Sequence, residues 1–480
     1  MAGLKEEQIN NIAQQIVSRL TSTLPDREET DVSSNVGEFT KGIFPDINSA
    51  VDAVFVAQKK YMDIPLQERG RIINNIRKKM LEYGEELARD ANAETGLGRF
   101  EDKVIKNMLV TEKTPGIEDL TTAAKSGDHG LTIYERAPYG VIGAITPSTN
   151  PTSTIICNTI GMISAGNGIV FNVHPSAKSV SIKNIHLINQ AITEAGGPDN
   201  LVTAIFNPTI ESAQELMKHP RVRLLVITGG AVVVREAMRS GKRAICAGPG
   251  NPPVVVDETA DLAKAAKDIV FGASFDNNVI CTDEKEVFAV SSIANQLMQI
   301  MTKQNAILLN PVQQKQLDRV IFTKTNGPGK PGVIDKAFIG KNASEILKKI
   351  GIKVDQKIRL AIADVDKDHP LVWTEQMMPI LPVVRVDNAN QAIDLAIKAE
   401  HGFGHTASMF SRNIDNLSRM AREINCSIFV KNGPTLAGLG YGGEGFCSFT
   451  IASPTGEGLT RPYNFTQERR CVLVDHFRIV

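Results

Sequence analysis

An α/β architecture with two successive parallel sheets is predicted by three features of the 480-residue sequence. From Pro151 onward, short Val- and Ile-rich runs alternate with helical stretches, the pattern of right-handed crossovers whose sheet is covered on both faces. The alternation restarts after Gly248-Pro249-Gly250-Asn251-Pro252, so a second unit of the same kind follows the first. The chain is also too long for one ordinary core.

Residues 4–20 place Ile9, Ile12, Ile16 and Leu20 at helical spacings, with Lys5, Glu6, Asn10 and Arg19 elsewhere on the wheel, which predicts a short amphipathic helix. Residues 21–42 are polar, have little to bury and read as a flexible linker. A helix tied on in this way either folds back on its own domain or docks on another molecule. Residues 48–100 are helical in pattern. Val51, Val54 and Phe55 form one apolar face, and Pro65 opens a helix with Ile72, Ile73, Ile76 and Met80 that stops near Gly84. A further helix covers 101–112. Residues 131–134 and 141–146 then read as two extended segments around Ala137-Pro138-Tyr139-Gly140, which suits a hairpin.

In the first alternating unit a helix runs from Pro151 to Ala165-Gly166, a strand over 169–173 and a helix over 177–195. Strands over 201–206, 224–228 and 243–247 alternate with helices over 210–218 and 231–239. The second unit has a strand over 254–257, a helix over 260–271, a strand over 286–290 and a helix ending at Lys303. Later strands fall near 360–365, 383–386 and 428–431, with a helix over 389–400 and a glycine-rich stretch over 438–445.

Lys plus Arg (53) equals Asp plus Glu (53), which leaves no global electrostatic case for nucleic acid or an acidic membrane as partner. No apolar run reaches the ~18 residues of a membrane span, and the N-terminus lacks the basic-then-apolar pattern of a secretory signal. Cys157, Cys246, Cys281, Cys426, Cys447 and Cys471 form no C-x-x-C pair and no Cys/His cluster of metal-binding spacing. Free thiols in a reducing, cytoplasmic compartment, with no metal, are the expectation. Cys157, Cys426, Cys447 and Cys471 sit among apolar residues and read as core.

Cys281 differs from these. It stands between Asp276-Asn277-Asn278 and Thr282-Asp283-Glu284, in a turn-prone loop entering the strand at 286. Partial exposure there, with backbone N–H groups near a strand end, would lower the thiol pKa and suit a nucleophile. The other reading is a small apolar residue packed behind Ile280. Thr228-Gly229-Gly230 lies at a strand-to-helix turn where a backbone can approach a phosphate, although many such turns carry two glycines for geometry alone.

Together with Thr146-Pro147-Ser148-Thr149-Asn150-Pro151-Thr152, Ala165-Gly166-Asn167, His174-Pro175, Gly250-Asn251-Pro252-Pro253, Glu375-Gln376-Met377-Met378-Pro379, His405-Thr406 and Gly456-Glu457-Gly458, these stretches carry a resemblance over nearly the whole chain. The sequence resembles the aldehyde dehydrogenase superfamily, and within it the coenzyme A-acylating branch of ethanolamine- and propanediol-utilising bacterial microcompartments. That resemblance implies two Rossmann-like α/β domains, an NAD- and coenzyme A-binding one over 43–129 and 146–250 and a catalytic one over 251–440. A β-arm over 130–145 and 460–480 would exchange between subunits of a homodimer or homotetramer.

It further implies that Cys281 adds to a short-chain aldehyde, acetaldehyde or propionaldehyde, and carries the acyl group as a thioester, with His405 positioning or deprotonating the incoming thiol. Asn150 would complete the oxyanion site, although a gapless match of the motif puts Thr149 at that position. Thr146, Pro147, His174, Pro175, Thr228, Gly229, Gly230 and Glu375 would hold NAD, with Glu375 on the nicotinamide ribose. His174-Pro175-Ser176-Ala177 lacks the glutamate of the common adenosine-ribose motif, so exclusion of NADP does not follow. The helix over 4–20 resembles peptides that dock on microcompartment shell proteins, which implies a place in the lumen.

One departure bears on the acceptor. Hydrolytic relatives carry a glutamate base where this chain has Cys246. Water, with a pKa of about 15.7, needs such a base, whereas a thiol near ~8.5 is partly ionised without one. The gap favours a thiol acceptor over the alternative, a dehydrogenase releasing free acid. A non-catalytic scaffold of the same fold would not need Cys281, Glu375 and His405 in their motifs.

Overall fold

The computed structural model describes residues 41–480; the helix expected over 4–20 and all but the last two residues of the linker lie outside the described residues. In the first sheet the strands run, edge to edge, Ile43–Phe44, Val202–Ile205, Gly168–Asn172, Val141–Ile145, Val222–Thr228 and Arg243–Ala247, each parallel to its neighbours. The order reverses between Val141–Ile145 and Val222–Thr228. Such a switch point opens a ligand crevice beyond the carboxyl ends of the two strands.

The hairpin expected over 130–145 does not form. Val141–Ile145 is buried along its whole length in the middle of the parallel sheet. Gly130–Pro138 instead pairs antiparallel with Ala123–Gly127 and with Thr466–Val474. Val-Ile-Gly-Ala-Ile carries no polar alternation, so both of its faces need cover that an exposed ribbon cannot give. The three-stranded arm therefore spans 123–138 and 466–474. Cys471, expected in a core, is exposed on it.

The second sheet runs Ala306–Leu309, Leu360–Val365, Ile380–Val386, Glu286–Val290, Pro253–Val256, Thr406–Phe410 and Ile428–Lys431, again all parallel. The strands Ala306–Leu309 and Thr406–Phe410 add to those read from the sequence. In Glu286–Val290, Val287 and Ala289 face the helices Leu262–Ser274 and Ser291–Thr302, while Phe288 and Val290 face Ala389–Ala399 and Ile414–Glu423. Two-sided cover is what makes such strands continuously apolar, and each fully buried Val or Phe side chain contributes about 1.5–3 kcal/mol.

After Lys431 the chain returns to the first domain. Leu436, Leu439, Cys447, Phe449, Ile451 and Ala452 pack in the cluster that holds Ile155, Phe171 and Ile188. The second α/β unit thus ends before 440, the boundary expected from the sequence.

Candidate active site

Four segments converge at the amino ends of four adjacent strands of the second sheet. Glu375 precedes Ile380–Val386, Cys281 precedes Glu286–Val290, Gly250 precedes Pro253–Val256, and His405 precedes Thr406–Phe410. Gly250 stands at the centre of this group. Its N–H donates to Glu375 Oε1 at 3.3 Å. A Cβ built on it would lie 2.5 Å from the Cys281 carbonyl oxygen and 3.0 Å from His405 Cγ, so only glycine fits between sulfur loop and imidazole.

The turn into Cys281 is conformationally unusual. Asp276, Asn277 and Asn278 have φ of 44°, 55° and 64°, three consecutive left-handed residues that Asp and Asn tolerate better than most. The sequence marks them as a polar turn, yet all three are buried. Every side chain in the turn is accordingly bonded. Asn277 Nδ2 donates to Gly340 O at 2.9 Å, and Asn278 Nδ2 donates to Ala273 O at 3.0 Å and Glu284 O at 2.9 Å. The Asp276 carboxylate accepts from Arg99 N at 2.6 Å and pairs with Lys103 at 3.0 Å and with Lys106.

Both lysines come from the helix Phe100–Lys113, whose inner face is charged where an apolar stripe is usual. Lys106 Nζ also donates to Asn150 Oδ1 at 2.6 Å. An ammonium has only protons to give, so the oxygen of Asn150 is turned toward it and Nδ2 away. Asn150 caps the helix Pro151–Ser164 with its backbone alone, its side chain making no cap bond.

Lys285 is a residue of the site that sequence reasoning missed, as it missed Lys103 and Lys106. In Thr282-Asp283-Glu284-Lys285-Glu286 it reads as one charge in a solvated turn, but all five residues are fully buried. Lys285 Nζ donates to Asn278 Oδ1 at 2.6 Å, Asn278 O at 2.9 Å and Ile280 O at 3.1 Å. Its charge favours the ionised forms of Asp283, Glu284, Glu286 and Glu375 against the burial that raises all four pKa values. The signal available in the sequence was the crowding of three carboxylates and one lysine into a stretch that enters a buried strand.

Protonation departs from the sequence expectation. Burial, and next the Glu375 carboxylate, push the Cys281 thiol up to about 12, while Lys285 opposes them. The side chain is partly exposed but packs against the first domain's core, and this crowding is what outweighs the backbone N–H. Burial and Lys285 drive His405 down to about 3. Its ring is neutral, with Nδ1 2.9 Å from Thr406 Oγ1 and Nε2 without a partner. Moving a proton from Cys281 to His405 is steeply uphill from these values, so His405 suits hydrogen-bond positioning rather than the proton abstraction expected of an imidazole near its usual range.

Apart from Glu375, the dinucleotide-binding candidates lie away from this group, at the carboxyl ends of first-sheet strands. Thr146 and Pro147 follow Val141–Ile145, and Thr228 ends the neighbouring strand Val222–Thr228, so the two sides of the switch point are occupied as the fold rule requires. Thr146 Oγ1 is buried without a partner. Gly230 caps the helix Ala231–Arg239, and a Cβ there would meet no atom within 4 Å. An orphaned hydroxyl, a helix N-terminus open to an approaching phosphate and a carboxylate at Glu375 fit a nicotinamide dinucleotide. His174 and Pro175 follow the strand Gly168–Asn172, where His174 Nδ1 accepts from Ser176 N at 3.2 Å and so caps its own turn.

Cys246 is core, as its apolar neighbours suggested. It is buried beside Ile227, Val234 and Ala237, its N–H donates to Thr455 Oγ1 at 3.0 Å, and burial followed by Glu457 raises its thiol to about 11. Phe446 lines a surface hollow with Arg77, Lys113 and Asp119. Among the described residues no group of three His, Cys, Asp or Glu side chains could hold a metal, and no helix is long and apolar enough to cross a membrane.

A profile of the "Aldehyde dehydrogenase family" matches residues 23–318 and 359–446. An acetylating acetaldehyde dehydrogenase of Escherichia coli is 50% identical over 440 residues, 92% of this chain and 94% of that one. A propionaldehyde dehydrogenase from the fucose-utilisation microcompartment of Clostridium phytofermentans superposes with a TM-score of 0.89 at 47% identity, covering 92% of this chain and 100% of that one. The propionaldehyde dehydrogenase of Rhodopseudomonas palustris, solved with bound CoA and an acylated cysteine, superposes with a TM-score of 0.88 at 49% identity over 91% of this chain and 99% of that one.

Proposed function

This chain belongs to the aldehyde dehydrogenase family, and from that premise we propose that it oxidises acetaldehyde or propionaldehyde with NAD and transfers the acyl group from Cys281 to coenzyme A. The observation that carries the choice of acceptor is Cys246. The position where hydrolytic relatives place their base holds a buried cysteine whose backbone N–H donates to Thr455 Oγ1, so that position offers water no carboxylate to activate it.

The Cys281 sulfur adds to the aldehyde carbon, and the carbonyl oxygen becomes an oxyanion met by the Cys281 N–H and by Asn150 Nδ2, which gives one proton to Thr149 Oγ1 at 3.1 Å and keeps its second while Lys106 holds Oδ1. The chemistry that NAD supplies when bound is acceptance of a hydride, and Thr146, Pro147, His174, Pro175, Thr228, Gly229, Gly230 and Glu375 are the residues that would hold it. The resulting Cys281 thioester is attacked by the thiol of coenzyme A, with Cys281 leaving as the thiol and the acyl group departing on the new sulfur. His405 Nε2 accepts a hydrogen bond from the arriving thiol and aims it.

Two further parts of the reading concern partners. Val472, Leu473, Val474 and Phe477 leave apolar surface exposed on and beyond the last arm strand, which suits a second copy of the chain in a homodimer or homotetramer. The amphipathic spacing over 4–20 suits docking on a microcompartment shell protein, which would place the enzyme in the lumen.

With aldehyde and NAD alone, NADH should appear as one equivalent per Cys281 and then stop, and coenzyme A should restart it. Sustained NADH formation at full rate without coenzyme A would establish the free-acid reaction instead.

A further inference from the structure

We propose that Lys285 is a positioning residue that orients and strengthens the Cys281 N–H as an oxyanion donor by holding the carbonyl oxygen on the other side of the same peptide bond. The inference rests on Cys281 being the nucleophile. The peptide between Ile280 and Cys281 is planar and trans, so its C=O and N–H point in opposite directions. Two donors take the Ile280 oxygen, Lys285 Nζ at 3.1 Å and Asp283 N at 3.1 Å. The N–H of Cys281 is thereby turned away from Lys285, and among the described residues it donates to no other residue.

A cation on the oxygen of an amide draws electron density from its nitrogen and makes the N–H a better donor, an effect that low-dielectric surroundings enlarge. Lys285 is fully buried, and its other two bonds go to the Asn278 carbonyl and amide oxygens. All three of its acceptors are therefore neutral oxygens of the turn that delivers the sulfur, and among the described residues it forms no ion pair within 4.0 Å, although its charge is felt by Asp283, Glu284, Glu286 and Glu375. By contrast the buried Lys103 and Lys106 share the Asp276 carboxylate. A lysine that served only to neutralise the neighbouring acids would be expected to sit on one of them.

The test compares two reactions of the Cys281 sulfur. With p-nitrophenyl acetate the sulfur adds to a carbonyl, an oxyanion forms, and p-nitrophenolate leaves an acetyl thioester behind. With iodoacetamide the sulfur displaces iodide at a saturated carbon and no oxyanion arises. Both depend on the same thiolate fraction, so the ratio of their rates cancels any change in thiol ionisation.

Lys285→Met should lower the acylation-to-alkylation ratio about 10- to 100-fold, short of the roughly 10²–10³ that complete removal of an oxyanion donor costs. Lys285→Gln, which keeps a donor for the Ile280 oxygen, should recover part of it. An unchanged ratio, whether both rates hold or both fall together, would overturn the proposal. Should Lys285→Met not fold, the Gln variant carries the same comparison, and failure of both to fold would overturn it by assigning Lys285 to loop stability alone. In the unaltered protein, mass spectrometry must find the acetyl group on the Cys281 peptide; an acetyl group elsewhere would sink the nucleophile reading itself, which is a different result from an unchanged ratio.

Discussion

The two ends of the site are built differently. At the sulfur end, three left-handed residues and the buried groups of Asp276, Asn277, Asn278 and Lys285 are tied into one hydrogen-bonded turn. At the dinucleotide end, Gly230 faces open space, His174 is exposed and bonds only within its own turn, and Thr146 keeps an unpartnered hydroxyl. The chain fixes the turn that carries the sulfur, even though His405 Nε2 and Thr282 Oγ1 lack partners beside it, and leaves the dinucleotide end open for a ligand's own phosphates and hydroxyls to complete the contacts.

That contrast is sharpened most by removing the charge at its centre. Asp276→Ala leaves Lys103 and Lys106 buried without a counter-charge, which should destabilise the fold by about 3–5 kcal/mol and lower the thermal midpoint. A midpoint unchanged within error would mean that the network is not what holds the turn. Next comes Gly250→Ala, whose new methyl must push the Cys281 carbonyl or the His405 ring; turnover should fall by roughly 10² or more, since a displacement of about 1 Å at reacting groups costs that much.

Smaller effects follow from protonation and from the open end. Because the thiol is held near 12, its thiolate fraction is still rising throughout the neutral and alkaline range. Alkylation of Cys281 by iodoacetamide, measured without coenzyme, should therefore climb about tenfold per pH unit from ~7 to ~10, where an ordinary thiol would level off near its pKa of ~8.5. A plateau below ~9 would show that the turn lowers the pKa after all. Gly230→Ala should leave fold stability within about 0.5 kcal/mol, because no protein atom stands where its methyl would go, and should raise the KM for NAD while kcat holds within about twofold. A loss matching that of Gly250→Ala would erase the distinction between the two ends.

Much of this was legible in the chain before any coordinates. The strands Val222–Thr228, Arg243–Ala247 and Glu286–Val290 announce themselves as apolar runs between helices, and the loop before Glu286 singles out Cys281 among six cysteines. The hairpin over 130–145 failed because two adjacent extended segments do not say which strand each will pair with, and the unalternating 141–145 was the evidence against it. Strand Thr406–Phe410 was hidden behind the His405-Thr406 motif, whose polar residues are buried as fully as the apolar ones. Lys103, Lys106 and Asp276 could not be placed from sequence, since charged residues are almost never fully buried unless paired and the pairing partners lie up to 173 residues away, whereas Lys285 left only the crowding of charge around it as a sign. For the same reason the Cys281 thiol rises where its loop suggested a fall, and His405 drops below the range that would suit a base: each depends on burial that only the packed structure reveals.

The most direct measurement is intact and peptide mass spectrometry of the unaltered enzyme after mixing with propionaldehyde and NAD, before and after addition of coenzyme A. A propionyl group should appear on the peptide that contains Cys281, with none in a Cys281→Ala variant, and should leave within one turnover when coenzyme A arrives. Propionyl on another side chain, or a Cys281 adduct that coenzyme A does not discharge, would contradict the account.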